Sequence, residues 1–409
     1  MKNLKLLVVA FVAMLGFTAC NKDCGHNFIE VDHSKDIVGT WTCLETDYAS
    51  ALVFTADGSA ISMGVGGDEY WENIDGNYSL ENNNLLISFE SGYNVDVRID
   101  LIPNEYLSIV DKDGNRHTYH YCTNDLSDEI LGMWMSMGEE AGPDEESMAI
   151  NTFDKNGKSY LTAFMDGVDE YVVNMEGDYK VVGDLLIKFV KDDSDTPTSY
   201  IVMGLDYMPN GTAFGDIMTM HMPAYGAKPT FLRIKQNLEL PSMKYDYIKT
   251  YVTNVKGVDK DVDVMGYTFN FAKMDGVVLD KMLKTVLFAV EFPDANTIRY
   301  SCKYNEFSME MDAPIVVDGN KMTVKMSQRD AAYKDVDLYT FQDQDNSQMH
   351  MYMHTTAFVN FFGNMQIAFM SELGQLDKTD ANAVKAVFDG IDAAVESINL
   401  SLVMTKASK

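Results

Sequence analysis

The side chains best suited to chemistry in this chain are its five cysteines and seven histidines, set among 62 acidic residues. His350 and His354 flank a methionine-rich run. Four residues apart on a helix, they would share one face and could hold a metal ion. Met349, Met351 and Met353 instead alternate with His350, Tyr352 and His354, which is the period of a strand. At about 3.3 Å per residue the two imidazoles would then stand about 13 Å apart, too far to share an ion. The run predicts core methionines with histidines on the surface. His117 and His120 would point to opposite faces of a strand, and Cys24, His26 and His33 lack zinc-site spacing. No metal and no cofactor is expected.

Other chemistry is excluded by what its motifs require. Asp111-Lys112-Asp113-Gly114-Asn115 begins like a calcium loop, but Arg116 and Cys122 stand where glycine and glutamate are needed. It reads as a hairpin turn, and Asp192-Asp193-Ser194-Asp195 as a solvated loop. With so many acids, paired carboxylates are inevitable, so no pair identifies glycoside hydrolysis. There is no Gly-x-Ser-x-Gly elbow, no phosphate-cradling glycine loop and no dinucleotide fingerprint leading into a helix. Gly64-Val65-Gly66-Gly67 lies between strands and reads as a loop. The chain is expected not to be an enzyme.

The N-terminus carries an address instead. Lys2 and Lys5 precede an apolar run over residues 6–15, which is too short to span a bilayer. Gly16-Phe17-Thr18-Ala19 then places small residues before Cys20. This stretch resembles the lipobox of Gram-negative lipoproteins, with Phe17 where leucine is commonest. The resemblance implies cleavage after residue 19 and lipidation of Cys20, whose several acyl chains would anchor the protein stably. Asn21-Lys22-Asp23 looks like part of the lysine/acid tag that directs some lipoproteins outward. An outer-membrane lipoprotein, on the periplasmic or cell-surface face, is the expectation. Of the remaining cysteines, Cys43 and Cys122 fall in the first and last strands of one module, neighbours in a closed barrel. A disulfide between them is one outcome; strand parity sets them on opposite faces and favours free, buried thiols.

The net charge is −30, and two lysines leave with the leader. Such a field repels phosphate backbones, so nucleic acid is excluded as a partner. The link to the membrane is the lipid on Cys20 alone. A chain of 409 residues is too long for one core, and two or three domains are expected.

An internal repeat of about 100 residues defines them. Ile37-Val38-Gly39-Thr40-Trp41 returns as Ile130-Leu131-Gly132-Met133-Trp134, and Phe54-Thr55-Ala56-Asp57-Gly58 as Phe153-Asp154-Lys155-Asn156-Gly157. Gly76-Asn77-Tyr78 with Leu85-Leu86-Ile87-Ser88-Phe89 matches Gly177-Asp178-Tyr179 with Leu185-Leu186-Ile187-Lys188-Phe189. Asp57-Gly58, Asp75-Gly76, Asp113-Gly114 and Asn156-Gly157 are hairpin signals. A third module follows a polar connector at 237–263. It lacks the Gly-x-Trp start but repeats the middle: a turn at Phe292-Pro293-Asp294-Ala295-Asn296, then Asp318-Gly319-Asn320. Residues 355–373 could be helical, residues 379–398 form a better helix capped by Thr379, and 399–405 reads as a closing strand. Methionine abounds, 28 in all. Met218, Met220 and Met222, like Met309 and Met311, fall on one face and suggest pliable cores.

Gly39-Thr40-Trp41 with the Phe-x-x-x-Gly turn and the Leu-Leu-Ile strand resembles the lipocalin-like (calycin-type) domains of bacterial lipoproteins. The likeness covers about half the chain well and the last third loosely. It implies a mainly β protein of two or three small antiparallel β-barrels, the last with C-terminal helices. The divisions are 1–19 signal, 20–35 tether, 36–125 and 126–236 lipocalin-like barrels, and 237–409 a third barrel-like domain. It also implies that Trp41 and Trp134 close their barrels, with Arg233 against Trp134 and Tyr121 in the matching place beside Trp41. The function expected is an interaction or structural module for a protein or glycan. The alternative is small apolar-ligand binding in a barrel mouth.

Overall fold

The computed structural model describes residues 33–66, 69–110, 114–136, 149–164, 171–191, 197–212, 215–273, 277–304 and 307–407. The signal expected at 1–19, Cys20, Cys24 and His26 lie outside the described residues, as do Asp111, Lys112, Asp113 and residues 192–195.

The chain folds into three consecutive closed antiparallel barrels of eight strands each. Barrel 1 comprises β1 (Gly39–Leu44), β2 (Tyr48–Phe54), β3 (Ser59–Gly66), β4 (Glu69–Glu81), β5 (Asn84–Phe89), β6 (Asn94–Ile102), β7 (Tyr106–Val110) and β8 (Arg116–Cys122). Barrel 2 comprises β9 (Gly132–Ser136), β10 (Ala149–Phe153), β11 (Lys158–Phe164), β12 (Tyr171–Val182), β13 (Leu185–Lys191), β14 (Pro197–Thr212), β15 (Gly215–His221) and β16 (Thr230–Ile234). Barrel 3 opens with β17 (Met243–Gly257). A two-stranded excursion, β18 (Asp261–Val264) and β19 (Tyr267–Asn270), and helix α1 (Val277–Thr285) follow. The barrel resumes with β20 (Ala289–Asp294), β21 (Thr297–Tyr304), β22 (Phe307–Asp318) and β23 (Lys321–Val324). After α2 (Met326–Arg329) come β24 (Val336–Gln342) and β25 (Gln348–Met353). Helices α3 (Thr355–Glu372) and α4 (Ala381–Asp392) precede the closing strand β26 (Val395–Lys406). Closure leaves no free sheet edge in any barrel.

The repeat has a structural cause. Gly58 and Gly157 take positive φ in the turns β2–β3 and β10–β11, as such turns require. Tyr78 donates its N–H to Gly58 O at 2.8 Å and its hydroxyl to Thr55 O at 3.0 Å. Tyr179 does the same at Gly157 O (2.8 Å) and Asp154 O (2.8 Å). Each tyrosine meets a phenylalanine edge-on, Phe54 at 4.9 Å and Phe153 at 5.0 Å. In barrel 3 the Ile315 N–H bonds Asn296 O at 2.8 Å, so Ile315 takes the tyrosine's place.

This frame corrects one alignment. Tyr78 pairs with Ile87, Tyr179 with Lys188 and Ile315 with Val324. Leu85 therefore corresponds to Leu186, not Leu185, and a shift of one residue sends every side chain to the other face. Leu186 enters the core of barrel 2, while Leu185, Ile187 and Phe189 face outward. There they meet barrel 1: Met63, Val65 and Tyr70 pack on Ile187 and Phe189, and Ala49 and Ala51 on Leu185. Across the second joint, Met135, Ile150, Leu232 and Ile234 of barrel 2 pack on Tyr339, Phe341 and Tyr352 of barrel 3. A strand buried on both faces reads as a continuous apolar run, which is why the letters matched out of register.

Other expectations also shift. Asp75-Gly76 is no hairpin: it lies within β4, where Asp75 has φ 54° and the register against β3 slips. It is a bulge. The expected connector at 237–263 contains β17, whose pairing with β26 shifts register three times, breaking the alternation that would have marked it. Helix α4 is capped by Asp380, which accepts from the N–H groups of Asn382 and Ala383, rather than by Thr379. Val395 and Ile398, assigned to that helix, begin β26.

Candidate functional site

At one end of barrel 1 the wholly buried Trp41 donates its indole N–H to Ile37 O at 2.7 Å. Trp134 donates to Ile130 O at the same distance in barrel 2. β8 puts Tyr121 opposite Trp41, its ring edge-on at 5.0 Å. β16 puts Arg233 opposite Trp134, the guanidinium 4.5 Å over the indole. Arg233 also donates to Glu129 O and pairs with Asp216 at 3.5 Å. In barrel 3 the same register position holds the buried Tyr245, opposite Lys406 and bonded by Gln342 Nε2 at 2.9 Å.

Among the described residues, the thiols of Cys43, Cys122 and Cys302 are free. Cys43 is buried inside barrel 1, whereas Cys122 pairs with Thr40, three positions away, and gives its Sγ–H to Asn124 O at 2.9 Å. The disulfide between them does not form, because the register separates the two and parity turns them to opposite faces. Cys122 is also only half-buried, beside Gly183 of barrel 2.

The histidines correct a further expectation. Met349, Met351 and Met353 fill the barrel 3 core, but His350 and His354 are buried too, His354 as the residue before α3. His350 contacts Gln348 Oε1 at 3.2 Å, and burial pulls its imidazole down to about 3, with Lys249 adding to the effect. It remains neutral. Lys188 is a charge in an apolar place. It occupies the position of Ile87 and Val324 in the sister barrels, is 3% exposed, and burial alone lowers its ammonium to about 8.

One polar cluster lies toward the other end of barrel 1. Glu45 follows β1 and His117 is the second residue of β8; closure of the barrel brings these strand ends together. His117 Nδ1 lies 3.2 Å from Glu45 Oε2, and Cys43 Sγ lies 3.6 Å from Glu45 Oε1. The three donor atoms fall within 4.8 Å of one another, the one such group of His, Cys and acidic residues among the described residues. Tyr48 stacks on the His117 ring at 3.9 Å, lies 5.8 Å from Trp71, and shares a 2.7 Å hydrogen bond with Tyr119. Burial, reinforced by Glu45, pushes the Cys43 thiol up to about 12, so it is protonated and not a nucleophile. Sequence reading missed this group because Glu45 and His117 are 72 residues apart, with no local spacing to betray them.

Among the described residues no helix is long and apolar enough to cross a membrane. No family model matches the chain, and no curated protein matches its sequence. Among solved structures, the isotype 1 transferrin binding protein B from serogroup B Neisseria meningitidis aligns over 88% of this chain, at 8% identity and a TM-score of 0.20. The alignment takes in 66% of that protein, just under two thirds of its length, a likeness too slight to bear on function.

Proposed function

We propose that this chain is a lipid-anchored, non-enzymatic protein of the bacterial outer membrane, held by acyl chains on Cys20. Its three lipocalin-like domains, 36–125, 126–236 and 237–409, act as one interaction or structural module for a protein or glycan. The observation that carries this reading is that the barrel interiors hold their own side chains. Trp41, Phe54, Leu85, Ile87 and Phe89 form the core of barrel 1; in barrel 3, Tyr300 meets Phe361 of α3 at 5.4 Å, and α3 packs into that barrel's core. Trp41 closes one end of barrel 1, and Trp134 with Arg233 closes one end of barrel 2. An eight-stranded interior is about filled by its own side chains or holds one small ligand. What remains for a partner is the outside, and the apolar joints between barrels hold that outside in one arrangement.

A second reading, a small apolar ligand, is favoured by Lys188, whose amine inside barrel 2 would suit a carboxylate head group. Titration of the purified protein with a fluorescent fatty acid separates the two. The interaction reading predicts no saturable binding. One tight site per chain, lost in Lys188→Ile, would replace it with the ligand reading.

A further inference from the structure

We propose that Cys43, Glu45 and His117 form a binding site for a single zinc-like divalent ion at the mouth of barrel 1. Thiolate, imidazole and carboxylate are the three donor types zinc takes, at about 2.3, 2.0 and 2.0 Å. Those bond lengths set tetrahedral edges of about 3.5 Å between sulfur and oxygen and about 3.3 Å between nitrogen and oxygen. One carboxylate oxygen, the Cys43 sulfur and the His117 nitrogen already lie within 4.8 Å of one another. The contacts at 3.6 and 3.2 Å reach different oxygens, Oε1 and Oε2, so binding turns the Glu45 carboxylate to present one of them to the ion and draws the three donors in to these edges.

The surroundings hold the ligands in place. Cys43 sits on β1 with no exposure, its strand paired on both sides. Stacking on Tyr48 fixes the His117 ring plane, and Tyr119 in turn holds the Tyr48 hydroxyl, the kind of outer support that tunes metal sites. Glu45 and His117 keep 38% and 18% of their side-chain surface exposed, so an ion has a path in from solvent. Three protein ligands leave the fourth tetrahedral position to water. On binding, the Cys43 thiol proton leaves to solvent as the sulfur–metal bond forms. The imidazole proton moves from Nδ1, now facing Glu45, to Nε2, freeing Nδ1 to coordinate.

Cobalt(II) titration of the full-length protein in detergent tests the site, because a cobalt–thiolate bond gives a charge-transfer band in the near ultraviolet. The expected result is one equivalent bound with that band, displaced by zinc. Cys43→Ser abolishes the band, and Glu45→Gln and His117→Asn weaken binding at least tenfold. Cys24→Ser, Cys122→Ser and Cys302→Ser leave both unchanged. Circular dichroism confirms that each variant folds; should Cys43→Ser not fold, the half-exposed Glu45→Gln decides. Absence of the band in the parent protein, its persistence in Cys43→Ser, or unweakened binding by Glu45→Gln overturns the site.

Discussion

Replacing Lys188 with isoleucine, the residue at its counterpart Ile87, should stabilise barrel 2. Burial lowers the amine from 10.5 to about 8. At about 1.36 kcal/mol per pH unit, the buried charge costs the folded state about 3 kcal/mol at neutral pH. The sign follows from linkage. Below about pH 8 both states carry the proton and the folded state bears the full penalty. Between about 8 and 10.5 the folded protein has lost its proton while the unfolded chain still holds one, so stability rises with pH. Lys188→Ile should therefore be about 2–3 kcal/mol more stable at pH 7, with the difference shrinking toward pH 10. Tyrosine ionisation affects both proteins alike and cancels in the comparison. Urea unfolding read by hydrogen exchange of residues 185–191 reports on this barrel alone. Equal stability of the two proteins at pH 7, or a difference independent of pH, would refute the reasoning.

Three further outcomes follow from single contacts. His350, held near 3 in the folded state, takes a proton only on unfolding below its ordinary 6.5. Barrel 3 should thus lose about 1.4 kcal/mol per pH unit as pH falls from 6.5, a slope His350→Gln removes in acid-titrated urea melts. Gly177→Ala puts a Cβ 2.1 Å from the Phe189 carbonyl oxygen, backbone that cannot swing aside, and should destabilise barrel 2 by at least about 2 kcal/mol in thermal melts. Asp380→Ala should cost about 1 kcal/mol and raise amide exchange in the first turn of α4 without altering the barrels.

The barrels were readable because the Gly-x-Tyr and Phe-x-x-x-Gly segments answer one geometric demand: the tyrosine N–H and hydroxyl grip the preceding hairpin turn. Where burial on two faces erased the alternation, as from Leu185 to Phe189, letters matched one residue off and hid Lys188 inside the barrel. Bulges broke the pattern of β17, so a strand read as a connector. Val395 and Ile398 continue the apolar spacing of α4 after the chain has turned into β26, so periodicity alone overruns the helix end at Asp392. His350 read as surface because a strand pattern cannot know that its outer face will be covered. The mouth cluster was invisible for a different reason: only barrel closure brings Glu45 to His117.

Native mass spectrometry of the protein released from its own membranes puts the reading of filled barrels on a lipid anchor to its most direct test. The predicted spectrum is a chain beginning at acylated Cys20, with no organic molecule retained beyond its covalent lipid. A small apolar compound held at one per chain, or an intact leader with an unmodified Cys20, would contradict it.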